Sequence, residues 1–263
     1  MSDELITTEQ LPQYLIDRAK QGNATGMEGA QDFLTPPRLK ICQASRKGEF
    51  LDYPEGTVLV TPTNDIVCGP EGYFAFTVLY RYEQFCVHNP YNRPDDMPLI
   101  RESTFDMDSD IAKRARDFDN NTAPFPEDPK EVIKYCVHYN SVIVIHGVPG
   151  LENRPIMQSL FIGEAKSGRK ILDLLNARCA SGLEVYCHNL MAHQVKRPKG
   201  KNTWQGIDIS NPTADVDVGK YCSEAQIEMY SKLHEKYKAD RDRLVVDYED
   251  EVPQESEVIS DTL

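Results

Sequence analysis

Four cations and the only tryptophan fall within nine residues of this chain, Lys196-Arg197-Pro198-Lys199-Gly200-Lys201-Asn202-Thr203-Trp204. Pro198 and Gly200 read as a turn between two strand-like runs, which puts the charges at a hairpin tip. Lys196, Arg197, Lys199 and Lys201 can neutralise phosphates there, and Trp204 offers a flat face for a base. Stacking of that kind contributes about 1–3 kcal/mol per base and tolerates any base. A plainer reading stands beside this one: a solubilising tip with Trp204 turned inward as core. Between Arg154 and Trp204 nine bases meet three acids, Glu164, Asp173 and Glu184. Of those bases, Lys166, Arg169, Lys170 and Arg178 can line the same side, which favours a surface for a polyanion.

The far end of the chain has the opposite sign. From Asp247 to Leu263 there are seven acids (Asp247, Glu249, Asp250, Glu251, Glu255, Glu257 and Asp261) and no Lys or Arg. They supply more than half of the formal net charge of −13. A strand of carboxylates can occupy a basic groove while nucleic acid is absent and recruit a partner once displaced. Val258, Ile259 and Leu263 would give that partner a short apolar anchor. Its plainer reading is an ordinary disordered terminus.

Other groups were weighed for chemistry. The run Tyr73–Tyr82 places Phe74, Phe76, Tyr80 and Tyr82 on one face of a strand, either as core or as a stacking platform. Tyr80 and Tyr82, on either side of Arg81, are the candidates for exposure. Cys86 with His88, and Cys136 with His138, have the i, i+2 spacing that could place four zinc ligands on neighbouring strands. Cys-x-x-Cys spacing is absent, so buried thiols beside satisfied histidines are the preferred reading and no metal or other cofactor is expected. Gly163 to Lys170 lacks the Gly-x-x-x-x-Gly-Lys-Ser/Thr spacing of a phosphate loop, because Arg169 follows Gly168. There is no Gly-x-Ser-x-Gly or His-Glu-x-x-His motif, and the chain is not expected to be an enzyme.

Several elements must position these residues. Residues 1–30 read as a helix (Thr8 to Lys20) followed by a Gly-punctuated link. Residues 31–212 read as the nucleic-acid-binding domain. Pro36-Pro37 force an extended start, and Arg38 and Lys40 alternate with Leu39 and Ile41 as in a half-buried strand. Further strands are expected at Thr57–Thr61, Tyr73–Tyr82 with Gln84–His88 beyond it, Tyr135–His146, Arg154–Ile162, Leu183–Val195 and Thr203–Ser210. An insertion at 89–133, rich in Pro, Asp and Asn, includes a short helix near Ser109–Phe118. Ser167 is expected to cap a helix ending at Gly182. A last helix starts near Ser223, with Gln226 completing a capping box, in the segment 213–246; the acidic tail is 247–263. The expected fold is therefore mainly β with flanking helices (α+β): an OB-like antiparallel barrel with a helix between its third and fourth strands.

Bulk properties agree with a packed, cytoplasmic protein. At 263 residues, 40% hydrophobic and 27% charged, the chain can bury a sizeable core. Its seven cysteines sit mostly in apolar stretches, as reduced thiols do. No run approaches the roughly 18 apolar residues of a membrane span, so no membrane partner is expected. The start Met-Ser-Asp-Glu has no secretory pattern.

In its layout the chain resembles bacteriophage-type single-stranded DNA-binding proteins of the OB-fold class. The resembling parts are Pro36-Pro37-Arg38-Leu39-Lys40-Ile41, the order of strands around the helix at Lys166–Ala180, the basic turn leading to Trp204-Gln205-Gly206-Ile207, and the acidic terminus. The resemblance implies non-catalytic coating and protection of single-stranded DNA during replication and recombination in the host cytoplasm. It also implies that the acidic tail contacts polymerase or helicase. The binding set expected is Lys196, Arg197, Lys199, Lys201 and Trp204, then Arg169, Lys170, Arg38, Lys40 and Tyr82. A rival reading is an acidic DNA mimic that inhibits a host nuclease or restriction enzyme; a third is a zinc enzyme built on the Cys/His pairs.

Overall fold

A computed structural model describes residues 37–44, 48–88, 101–119, 134–161, 165–180, 182–199, 202–213 and 218–239. The expected helix Thr8–Lys20 and the tail 247–263 lie outside these residues. Nine strands form one sheet: β1 (Arg38–Ile41), β2 (Val58–Thr61), β3 (Asp65–Cys68), β4 (Tyr73–His88), β5 (Arg101–Thr104), β6 (Lys134–His146), β7 (Pro155–Phe161), β8 (Asn189–Lys199) and β9 (Asn202–Ser210). Three helices accompany them among the described residues: α1 (Asp110–Asp119), α2 (Ala165–Cys179) and α3 (Glu224–Ala239). The spatial order is β3-β2-β1-β7-β6-β4-β8-β9, with β5 also on β4. All pairings are antiparallel except β1 with β7. The chain is thus mainly β, a curled half-barrel with helices against it.

β4 organises the sheet. One edge of this strand pairs with β6 from Ala75 opposite His146 to His88 opposite Lys134. Its other edge pairs with β8 over Tyr73–Thr77 and with β5 over Phe85–His88. Between Val78 and Tyr80 the register with β6 shifts, leaving Leu79 as an extra residue, a β-bulge. An extra residue reverses which face each later side chain takes. Phe74, Phe76 and Val78 therefore belong to the inner core, whereas Leu79 and Tyr82 belong to a separate outer cluster with Tyr80 packed against it. The four aromatics expected on one face are split two and two. Tyr82 is only 6% exposed, against the exposure expected of it; its ring meets Phe105 edge-on and its hydroxyl reaches Met157 Sδ at 3.6 Å.

The inner core draws on Val58 and Val60 of β2, Ile143 and Ile145 of β6, Leu190 and Ala192 of β8, and Ile207 and Ile209 of β9. Each fully buried Val, Ile or Leu contributes about 1.5–3 kcal/mol. Ile171 and Leu175 of α2 close the same face. So do Ala112 and Ala115 of α1, so the insertion contributes to the core rather than looping away from it. Ser109 starts α1 by accepting the Ala112 amide at 3.1 Å. On the outer face α3 buries Tyr230 against Val142, Val144 and Met157. His234 Nδ1 lies 2.7 Å from the Leu79 carbonyl, the group exposed at the bulge. The expected capping box is present: Ser223 N donates to Gln226 Oε1 at 2.9 Å, and Gln226 N to Ser223 Oγ at 3.4 Å.

Two expected boundaries move. Ser167 does not cap α2, which begins at Ala165; its hydroxyl is used by β9 instead. Leu183–Val195 is not one strand. Gly182 adopts φ +85° and a 3-10 turn covers Val185–Cys187 before β8 begins. The backbone there pairs with residues 220–222, through Cys222 N to Cys187 O at 3.0 Å and Asn189 N to Lys220 O at 3.1 Å.

Gly168 lets α2 approach the sheet. A Cβ at this position would stand 2.5 Å from Tyr139 Cβ and 2.6 Å from its Cγ. Glycine costs about 1 kcal/mol inside a helix, so its place here is explained by contact, not propensity. Gly168→Ala is expected to destabilise the protein by about 2 kcal/mol or more, read as a lower urea midpoint; an unchanged midpoint would show that the helix has room to shift.

Candidate nucleic-acid interface

The β8–β9 ladder runs from Met191 opposite Ser210 to Lys199 opposite Asn202. Arg197 stands opposite Trp204, so the two share a face. β9 is the last strand of the sheet among the described residues, and none of the described strands satisfies the backbone groups on its free edge. Side chains from distant parts of the chain do this. Gln43 Nε2 donates to Gln205 O at 2.9 Å, and Gln43 Oε1 accepts from Gln205 N at 2.9 Å. The amide of one glutamine thus stands in for a strand. Ser167 Oγ donates to Ile207 O at 2.5 Å. Arg197 Nη2 donates to the same carbonyl at 2.9 Å and to Ser167 Oγ at 3.0 Å.

A second layer fixes the hairpin base. Gln194 Nε2 donates to Gln205 Oε1 at 2.5 Å, Gln205 Nε2 donates to the Glu55 carboxylate, and Gln194 Oε1 accepts the Glu71 amide at 2.6 Å. Lys170 Nζ lies 3.3 Å from Asp208 Oδ1. Both side chains are about half exposed, so this ion pair contributes at most about 1 kcal/mol. These contacts join the basic hairpin to the first turns of α2. Lys166 and Lys196 are exposed, and Arg169, Lys170, Arg197 and Trp204 are half-buried.

The expected residues divide accordingly. Lys170 meets β9 at Asp208, and Trp204 stands opposite Arg197 on one face of the ladder, with Arg169 beside Lys170 in α2; Lys196, opposite Gln205, faces the other way. The Arg197 guanidinium is engaged in holding β9 to α2. Lys199 ends β8; its side chain and the whole of Lys201 lie outside the described residues, as do the tail acids Asp247, Glu249, Asp250, Glu251, Glu255, Glu257 and Asp261. Arg38 is only 9% exposed, opposite Thr61 and beside Met157. Lys40 Nζ sits 5.8 Å from the centre of the Phe50 ring. Tyr82 is buried within the outer cluster, away from the hairpin strands β8 and β9.

Cys86 and Cys136 are register partners, with His138 two residues along the same face and Nδ1 3.2 Å from Ser159 Oγ. The His88 side chain lies outside the described residues. Among those residues no three His, Cys, Asp or Glu side chains are grouped to hold a metal ion. All seven cysteines are free, and five are buried. No described helix is long and apolar enough to cross a membrane.

Comparison with known proteins leaves the site to speak for itself. No protein-family model, curated protein or solved structure matches the chain.

No sequence pattern assigns Gln43, Glu55 or the Ser167 hydroxyl to this edge. Gln43 meets Gln205 across 162 residues of sequence, and no local pattern announces such a contact. Two histidines near the start of β8 carry a pH consequence. His188 is 1% exposed, and neither ring nitrogen has a hydrogen-bond partner among the described residues. Burial pushes it below its ordinary value of 6.5, and the Arg178 and Lys220 charges add to this. Burial also lowers His146, with Asn189 opposing.

Gln43→Ala is expected to cost about 1–2 kcal/mol in a urea titration and to speed hydrogen exchange at the Gln205 amide. Unfolding binds protons at histidines whose folded pKa is depressed, so stability falls as pH drops below 6.5. Thermal melts between pH 7 and pH 5 should show this, with a smaller fall in His188→Phe.

Proposed function

We propose that this chain is a non-catalytic single-stranded DNA-binding protein, coating and protecting the strand in phage-type replication and recombination. The observation that carries the reading is the link among Arg197, Ser167 and Ile207. It ties the hairpin face that bears Arg197 and Trp204 to the basic start of α2, with Lys196 on the hairpin's other face. Lysines at such a surface give salt-dependent affinity by releasing counterions, and the indole gives stacking without base preference.

We read the sheet as OB-like for the same reason. Counted from β4, and setting aside the short β5 on its far edge, the strands β4, β6 and β7 precede α2, and β8 and β9 follow it. β4 pairs with both β6 and β8. In such barrels the loop joining the last two strands forms one wall of the ligand groove; here it is the basic turn. β1, not β9, takes the free edge of β7, which is a departure from a closed five-stranded barrel. Because α3 packs on the outer face at Val142, Val144 and Met157, the strand path we propose runs over the hairpin and α2. The acidic tail is then a competing polyanion that also recruits polymerase or helicase.

The experiment titrates labelled oligo-thymidine into the full chain and into a form ending at Val246, at about 50 and 200 mM salt. Trp204 emission and anisotropy are followed together. Steep salt dependence, a change in Trp204 emission and tighter binding by the shortened form are expected. Lys196→Ala should weaken binding to any sequence and flatten the log–log salt slope by about 0.7, the loss of one phosphate contact. No binding by either form would overturn the reading and favour an acidic DNA mimic.

A further inference from the structure

A cavity of about 550 Å³ lies between the β6–β7 turn, the start of β8 and the chain leading into α3. Its walls include Ile145, His146, Glu152, Asn189, Tyr221 and Cys222. Nothing in the DNA-binding reading uses it, and the basic hairpin is at the other end of β8.

The hydrogen bonds at its floor have one consistent arrangement of protons. Asn189 Nδ2 donates to Gly219 O at 2.7 Å, which orients the amide. Asn189 Oδ1 can then only accept, and Thr77 Oγ1 lies 2.7 Å from it. The single Thr77 proton is thereby used. Thr77 Oγ1 is also 2.8 Å from His146 Nε2, so that contact needs its proton on Nε2. A neutral imidazole protonated at Nε2 has a bare acceptor at Nδ1. Burial, which lowers the His146 pKa, keeps the ring neutral near pH 7. Cys222 Sγ donates to Asn189 Oδ1 at 3.2 Å, and burial raises its pKa, so it is a thiol here and not a nucleophile.

The cavity therefore offers acceptors: His146 Nδ1 and, at the rim, the Glu152 carboxylate. It also offers an aromatic ring, Tyr221, 54% exposed, with the His188 ring 5.5 Å from it and Lys220 Nζ 5.6 Å from its centre. We propose that this cavity binds the amino-bearing edge of an unpaired nucleobase, adenine or cytosine, with His146 Nδ1 and Glu152 accepting from the amino group and Tyr221 stacking on the ring. An exocyclic amino group carries two hydrogens on one nitrogen, which suits two acceptors. Thymine has a single N–H between two carbonyl oxygens, and a carboxylate repels those oxygens. The volume lies within the range of small-ligand sites. Such a base can come from a bound strand or from a free nucleoside; only the strand source rests on the function proposed above.

The test uses the full chain with ¹⁵N-labelled histidine, titrated with deoxycytidine and, separately, thymidine. The His146 Nδ1 resonance should begin at the position of an unprotonated ring nitrogen and move on adding deoxycytidine. Thymidine should bind about tenfold more weakly, the equivalent of one good hydrogen bond. His146→Phe should abolish the difference, and the wild-type spectrum keeps the test valid if that variant folds poorly. In a second arm, oligo-dC and oligo-dT are compared on the wild type and the variant. A dC preference that disappears in the variant identifies the strand as source. Binding of free deoxycytidine with no such preference identifies the nucleoside. A protonated Nδ1, or no response to deoxycytidine, overturns the proposal and leaves oligo-thymidine binding at the seam to be judged separately.

Discussion

A curled sheet that stops short of closing leaves a row of backbone donors and acceptors on its last strand, and much of this molecule is arranged around that edge. Leaving such groups unmade costs more than making them gains. At β9 they are met by Gln43, Ser167 and Arg197, each from a different part of the chain. Placing those three side chains requires β1 to run beside β7. It also requires α2 to lie close over Tyr139, which only a glycine at 168 allows. The basic surface is a by-product of this closure. The residues that seal the edge bring the start of α2 against the hairpin.

This explains why one cationic side chain is not equivalent to the next. Arg197 presents several donors in a fixed fork and can serve an acceptor on each of two elements, which a lysine ammonium does less well. Lys196, one residue away on the opposite face, is exposed. The hairpin thus separates a strut from an exposed cation by alternation alone. Trp204, opposite Arg197, is held at a set position because the ladder beneath it is held.

Much of the architecture was legible in local pattern. Val142-Ile143-Val144-Ile145 reads as a core strand and is one. The Ser223 and Gln226 box starts α3 as its spacing implies, and the stripe Ile227, Tyr230, Leu233 and Tyr237 packs on the outer face. What escaped has long-range causes. Ser167 looks like a cap because its hydroxyl is near a helix start, yet its partner is 40 residues away. The segment after Gly182 looks extended, but it turns because residues 220–222 supply its pairing. The acceptor at His146 depends on Thr77 and Asn189 together, and periodicity cannot reveal a proton arrangement. The polar composition of the insertion gives no sign of its core contribution, which is carried by small residues, Ala112 and Ala115.

The bulge at Leu79 gives β4 a reading frame. Upstream of it the strand addresses one solvent-shielded layer with its even residues; downstream the odd residues serve that layer. Two cores of different composition can then be built along a single uninterrupted strand, without a turn between them. Straightening the bulge with every residue kept would send Tyr80 and Tyr82 into the interior and turn Arg81 and Glu83 away from it, a change no conservative substitution produces. Removing Leu79 would instead leave Val78 and Tyr80 opposite the adjacent Ile143 and Val142, with the faces beyond unchanged.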